Sequence, residues 1–161
     1  MPDGPNPKSP DYDDDFYAWT QHQAAVLREM PVTDNRFDRE HVAEEIEDLG
    51  NSVRNAMRSQ VRRIIEHFLK LQHSPTQEPR YGWMASILDA RQEIADNMTA
   101  TLRREIGGEL ARLYRDGRKR ATMGLTGHGE LERADQLPDT CPYTFAQILD
   151  EDWYPAPVEK P

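Results

Sequence analysis

Residues 38–73 read DREHVAEEIEDLGNSVRNAMRSQVRRIIEHFLKLQH, and no proline falls between Pro31 and Pro75. Asp38 is placed to start a helix, with Phe37 and Val42 as a hydrophobic staple. Val42, Ile46, Leu49, Val53, Met57, Ile64, Phe68 and Leu71, with Val61 alongside, then form an apolar stripe of near-heptad rhythm, as in antiparallel bundles. The spacing predicts one helix of about ten turns, with Gly50-Asn51-Ser52 as the place for a kink or break. Its charge is acidic from Asp38 to Asp48 and basic from Arg54 to Lys70, the sense its dipole favours.

Upstream, residues 1–11 hold four prolines and no apolar period, and are expected to be a disordered lead-in. Asp13 is placed to cap a first helix, Asp14 and Asp15 to meet its dipole, and Tyr12 and Tyr17 to staple it. Phe16, Trp19, Thr20, Gln23, Ala24, Leu27 and Met30 make its face until Pro31 ends it. Downstream, Pro75 and Pro79 mark a turn. A third helix follows with Trp83, Met84, Ile87, Leu88, Ile94, Ala95 and Met98 inward. A fourth, capped by Thr99 or Thr101, carries Leu102, Ile106, Leu110, Leu113, Tyr114 and Ala121, with close contact or a break expected at Gly107-Gly108.

The C-terminal stretch around Phe145, Ile148, Leu149, Trp153 and Tyr154 reads as a short helix that must dock, since it cannot bury itself. The fold class is therefore all-α: a helical bundle with one long central helix, three further main helices and a short C-terminal docking helix. A single domain is expected over residues 12–155, with a mobile connection at about 124–142 and a tail over 156–161.

With 161 residues, 37% of them hydrophobic, one ordinary core is feasible. The single Cys141 excludes an intramolecular disulfide and Cys-ligated zinc. No run approaches the roughly 18 apolar residues of a membrane span, and the N-terminus lacks a signal-peptide pattern, so a cytoplasmic protein with no membrane partner is expected. The net charge of −9 is unevenly spread: residues 1–15 carry −4, residues 129–161 carry −6, and the body between them +1. Acidic ends masking arginine surfaces on a near-neutral body is the resulting expectation.

Several blocks resemble one bacterial family, domain of unknown function 29. They are Tyr12-Asp13-Asp14-Asp15-Phe16-Tyr17-Ala18-Trp19-Thr20, Ala43-Glu44-Glu45-Ile46-Glu47-Asp48-Leu49-Gly50, His67-Phe68-Leu69-Lys70-Leu71-Gln72, Arg91-Gln92-Glu93-Ile94, and Cys141-Pro142-Tyr143-Thr144 with Asp150-Glu151-Asp152-Trp153-Tyr154-Pro155. The chain departs from the family at Leu71, where tryptophan is common. The resemblance implies an all-helical bacterial protein and no particular activity.

For chemistry, the acidic run Asp38, Glu40, Glu44, Glu45, Glu47 and Asp48 lacks the Glu-x-x-His pairs of carboxylate metal bundles, and reads as a solvated face. No metal site or cofactor is called for. His67 falls inside the apolar stripe: it is either a hydrogen-bonded core histidine or a general base facing Glu45 or Asp15. Trp83, as a wall of a cavity shared with His67, and Arg91, in its shared block, complete the candidates.

Arg54, Arg58 and Arg62 stand four apart on one ridge, and Arg115 and Arg118 lie among the bases of the fourth helix. These are candidate anion-binding residues, or partners of nearby acids. Three readings follow: a non-enzymatic protein acting through protein contacts, including self-association as a homo-oligomer; a nucleic-acid-associated module using arginine faces; and an enzyme with a His67–carboxylate site.

Overall fold

Caps set where the helices of this protein begin, and glycines set how near they approach. The computed structural model describes residues 9–159, and among them are seven helices and no strand. They are α1 (Phe16–Glu29), α2 (Arg39–His73), α3 (Arg80–Asn97), α4 (Ala100–Gly108), α5 (Leu110–Gly127), α6 (Leu131–Asp135) and α7 (Phe145–Leu149). Two compact units share them. One comprises the described residues through Ala56 together with Met98–Arg104; the other comprises Met57–Asn97 and the described residues from Glu105 onwards. The expected lead-in lies outside the described residues over 1–8, as does the end of the tail at 160–161.

In the first unit, Asp15 rather than Asp13 caps α1, its carboxylate accepting the Ala18 N–H at 3.0 Å. The other carboxylate oxygen accepts the Thr101 N–H at 3.1 Å, so one side chain caps the starts of α1 and α4. Tyr12 packs edge-on against Phe16 and Trp19, with ring centroids 5.4 and 4.8 Å away.

The long helix runs unbroken through Gly50-Asn51-Ser52. Gly50 serves close approach instead of a kink: a Cβ there would lie 2.0 Å from Thr20 Oγ1. Tyr17, Thr20, Ala24, Ala43 and Gly50 are buried on this side, while Val42 and Leu49 of the expected stripe stay 37% and 57% exposed. The physical reason is size. Helices meeting this closely need the small residues at the seam, and the larger apolar ones lie off it.

In the second unit α2 buries Met57, Val61, Ile64, Ile65, Phe68, Leu69 and Leu71, each large side chain contributing about 1.5–3 kcal/mol. Against it lie Ile87, Ala90, Arg91 and Ile94 of α3, and Leu113, Tyr114, Gly117, Ala121 and Leu125 of α5. Met84 and Leu88, expected inward, are exposed, because the buried face of α3 runs through Ile87, Ala90, Arg91 and Ile94 instead. The expected break at Gly107-Gly108 occurs: α4 stops at Gly108 and α5 starts at Leu110.

Residues 124–142, read as a mobile connection, hold the end of α5, all of α6, and the buried Ala134 and Leu137. The turn after α6 is tied down by Tyr114, whose hydroxyl donates to Pro138 O at 2.5 Å. Thr144 and Gln147 close a capping box on α7, and Tyr143 and Trp153 stack edge-on against Phe68 at 5.1 and 5.3 Å. No helix of the described residues is long and apolar enough to cross a membrane.

Candidate functional site

Arg91 is the most fully buried of the candidate residues, at 2% exposed. Its guanidinium donates to four backbone carbonyls: Nε to Ile148 O at 2.9 Å, Nη1 to Glu151 O at 3.3 Å, and Nη2 to Gln147 O at 3.0 Å and Trp153 O at 2.8 Å. The Phe68 and Tyr154 rings lie against it at 5.2 and 5.1 Å. The carbonyls at the end of α7, which have no partners inside the helix, are thereby satisfied. Burial lowers the Arg91 pKa, although the group stays charged at neutral pH. Arg91 is thus a clasp on the C-terminal segment, with its donors turned inward.

His67 sits between the buried Ile64 and Phe68 with Nδ1 buried and without a hydrogen-bond partner. Burial, reinforced by Lys70 and Arg63 and opposed by Glu66, brings its pKa down to about 4. An imidazole this acidic is neutral at pH 7 and a weak base. Of the carboxylates expected to face it, Asp15 and Glu45 belong to the first unit, and His67 belongs to the second. Asp15 is occupied as a double cap. Burial pushes its carboxyl up, but hydrogen bonds from Ala18, Thr101 and Thr99 outweigh this and hold it below the usual value. Glu45 is exposed.

Trp83 lines a cavity of about 160 Å³ with Lys70, Thr76, Leu125, His128 and Glu130, and His67 is not part of that lining. Lys70 is held by Glu66 at 2.6 Å. Glu130 Oε1 accepts from Ser74 Oγ at 2.9 Å and Thr76 Oγ1 at 2.6 Å, tying α6 to the turn after α2.

The arginine ridge is dispersed among separate partners. Arg54 donates to the Tyr17 hydroxyl at 2.9 Å and lies over that ring. Arg58 pairs with Glu109, and Arg62 lies 3.7 Å from Asp116. Arg118 binds Pro138 O, Leu137 O and the Asp139 carboxylate, so one acid of the C-terminal end does cover an arginine of the body. Arg115 is exposed, as are Arg112, Lys119 and Arg120 on the same helix.

Cys141 is half-buried, donates to Tyr143 O at 3.3 Å, and has its thiol pushed up by burial, the opposite of an activated nucleophile. His41 and Asp38 form an exposed pair at 2.6 Å at the start of α2. Among the described residues no three His, Cys, Asp or Glu side chains are grouped as metal ligands.

A larger recess, of about 340 Å³, holds residues that sequence reasoning passed over: His73, Arg80 and Arg133, from the end of α2, the start of α3 and α6. No spacing in the sequence signals it, since each residue comes from a different segment. His73 stood out only as one of five histidines.

Residues 12–154 match the family described as domain of unknown function DUF29. An α-helical protein of unknown function from Rhodospirillum rubrum, known from its crystal structure, is similar in fold with a TM-score of 0.78. It is 26% identical, over 89% of this chain and 92% of that one. No curated protein matches the sequence.

Proposed function

The chain belongs to the DUF29 family, and on that premise we propose that it acts through protein contacts rather than by catalysis, self-association being the first form of contact to test. The reading is carried by the solvent-facing side of α2 in the first unit. Val42 and Leu49, seven residues apart and so on one helix face, are left 37% and 57% exposed. Val26, Met30, Val32 and Phe37 of the same unit are exposed too, and Val32 and Phe37 line an open recess of about 500 Å³. Apolar side chains that share one exposed helix face, as Val42 and Leu49 do, favour a partner over solvent. Light scattering over a concentration series tests this: a species larger than the monomer that dissociates in Leu49→Lys supports it. A strict monomer that captures no partner counts against it.

A second reading rests on α5, where Arg112, Arg115, Lys119 and Arg120 are exposed and form no ion pair among the described residues. Their chemistry suits phosphates. This reading expects salt-sensitive retention of DNA or RNA that Arg112→Gln/Arg115→Gln weakens. Absence of binding at low salt removes it.

A further inference from the structure

The recess of about 340 Å³ in the second unit is walled by the end of α2, the turn into α3, α6 and the segment around Pro157 and Val158. The titratable side chains on its wall are His73, Arg80 and Arg133, and no carboxylate is among them. Neither arginine forms an ion pair with a described residue: Arg133 reaches only Gln136 Oε1, at 3.4 Å, and Arg80 gives Nη1 to Leu71 O at 2.9 Å. His73 is 7% exposed, and both of its ring nitrogens are buried without a hydrogen-bond partner. A buried polar side chain left in this state normally has a partner, and its absence here calls for one.

The end of α2 would ordinarily repel an anion, because its last carbonyls carry the negative end of the helix dipole. Here they are covered. Lys70 O accepts from Ser74 N at 2.9 Å, Leu71 O from Arg80, and Gln72 O from Val158 N at 2.8 Å. Burial and the charge of Arg133 both lower the His73 pKa, so at neutral pH the ring offers one N–H donor and adds no charge. Glu130 is tied to this wall through Ser74, and its Oε1 accepts from both Ser74 and Thr76. Two guanidinium groups free of ion pairs and helix-end carbonyls that are already hydrogen-bonded favour an anion in this hollow, with Pro75, Pro157 and Val158 offering apolar walls.

We propose that this recess binds a small organic anion, its phosphate or carboxylate group held between Arg80 and Arg133 beside His73. A volume of about 340 Å³ holds more than the anionic group alone, and lies at the lower end of the range for small-molecule sites. The apolar walls take the carbon skeleton. The residues of the recess belong to the second unit and those of the contact surface to the first, and the tests differ, so the two readings stand or fall independently.

The test is calorimetric titration of the full chain with inorganic phosphate and with succinate, at constant ionic strength set by chloride. Saturable binding of one of the two is expected, and Arg133→Gln should weaken it about tenfold or more, as loss of one charge-assisted contact requires. Arg80→Lys keeps the charge but loses the fork, and should weaken it by a smaller factor. Which probe binds distinguishes phosphate from carboxylate ligands. No saturable binding of either probe overturns the proposal. So does an equal loss in Arg112→Gln/Arg115→Gln, which would mark diffuse attraction to exposed bases. His73 ring signals in NMR give a second readout. They should shift on saturation of the parent protein, and unmoved signals also overturn it.

Discussion

From Met57 to Leu71, α2 buries seven large apolar side chains; from Arg39 to Ala56, the same unbroken helix buries Ala43 and Gly50 and leaves Val42 and Leu49 in solvent. Both halves repeat apolar residues at three- and four-residue steps. What separates them is the neighbour. The second half is flanked by α3 and α5, and large residues fill the space. The first half meets α1 so closely that only a glycine fits beside Thr20. A near-heptad stripe therefore marks an apolar face without saying which of its members is covered.

The second half should be the more fragile to a single change, because its clasp is one side chain. Arg91→Met is expected to cost at least about 3 kcal/mol in urea denaturation, since several backbone carbonyls lose their donor at once. Arg91→Lys should recover little of this, as one ammonium cannot span carbonyls of Gln147, Ile148, Glu151 and Trp153. Hydrogen exchange should locate the damage in residues 143–158. A stable Arg91→Met with protection there unchanged would show that Phe68, Tyr143 and Trp153 hold the segment alone.

Overpacking probes the seam of the first half. Gly50→Ala should cost about 1–3 kcal/mol, because the new methyl meets Thr20 Oγ1, which is itself fixed by donating to Tyr17 O at 2.7 Å. Adding Thr20→Ala should return part of that loss, a coupling readable in a double-mutant cycle. Gly117→Ala is the matching probe in the second half: its Cβ would lie 2.8 Å from Ile65 Cγ2 and 3.2 Å from the Arg62 carbonyl, and adding Ile65→Ala, which removes Cγ2, should return part of the overpacking cost.

Much of this architecture was legible in advance. The long helix, the break at Gly107-Gly108, the capped α7 and its aromatic docking follow from caps, glycines and apolar spacing acting locally. The shift of the buried face on α3 was not, because Arg91 occupies a core position and an arginine reads as surface. Only the carbonyls of a segment some sixty residues later explain it. The pairing of His67 with Glu45 or Asp15 was drawn from residue types alone, and their unit membership and the double cap at Asp15 give that pairing no support. The recess at His73 was illegible for a related reason: long-range convergence leaves no periodic trace.

Acid should separate the two halves. Asp15 has a folded pKa below its ordinary 3.8, so its contribution is present above that value and is lost as pH falls through the folded pKa. Asp15→Ala should cost about 1–2 kcal/mol at pH 7. His67 and His73 work in a higher range. Both have pKa values lowered from 6.5, His67 to about 4. The unfolded chain therefore binds more protons between those values, and stability declines as pH drops from about 6.5 towards about 4. Fluorescence of Trp83 and Trp153 should report a melting temperature lower by a few degrees at pH 5 than at pH 7.5. His67→Gln should flatten that decline. An unchanged slope would mean that the His67 ring is protonated in the folded protein without cost.

The smallest expected effect on stability is the most informative about use. Leu49→Lys changes a side chain that is already 57% exposed, and should alter unfolding free energy by no more than about 0.5 kcal/mol. The same change at Leu69, fully buried, should unfold the second unit, because an ammonium placed there has no partner. If Leu49 were merely a solvent-facing apolar residue, Leu49→Lys would leave every property in place. If it is part of a contact surface, stability stays constant while the sedimentation or scattering mass falls, and that separation assigns the first half of α2 to association rather than to the core.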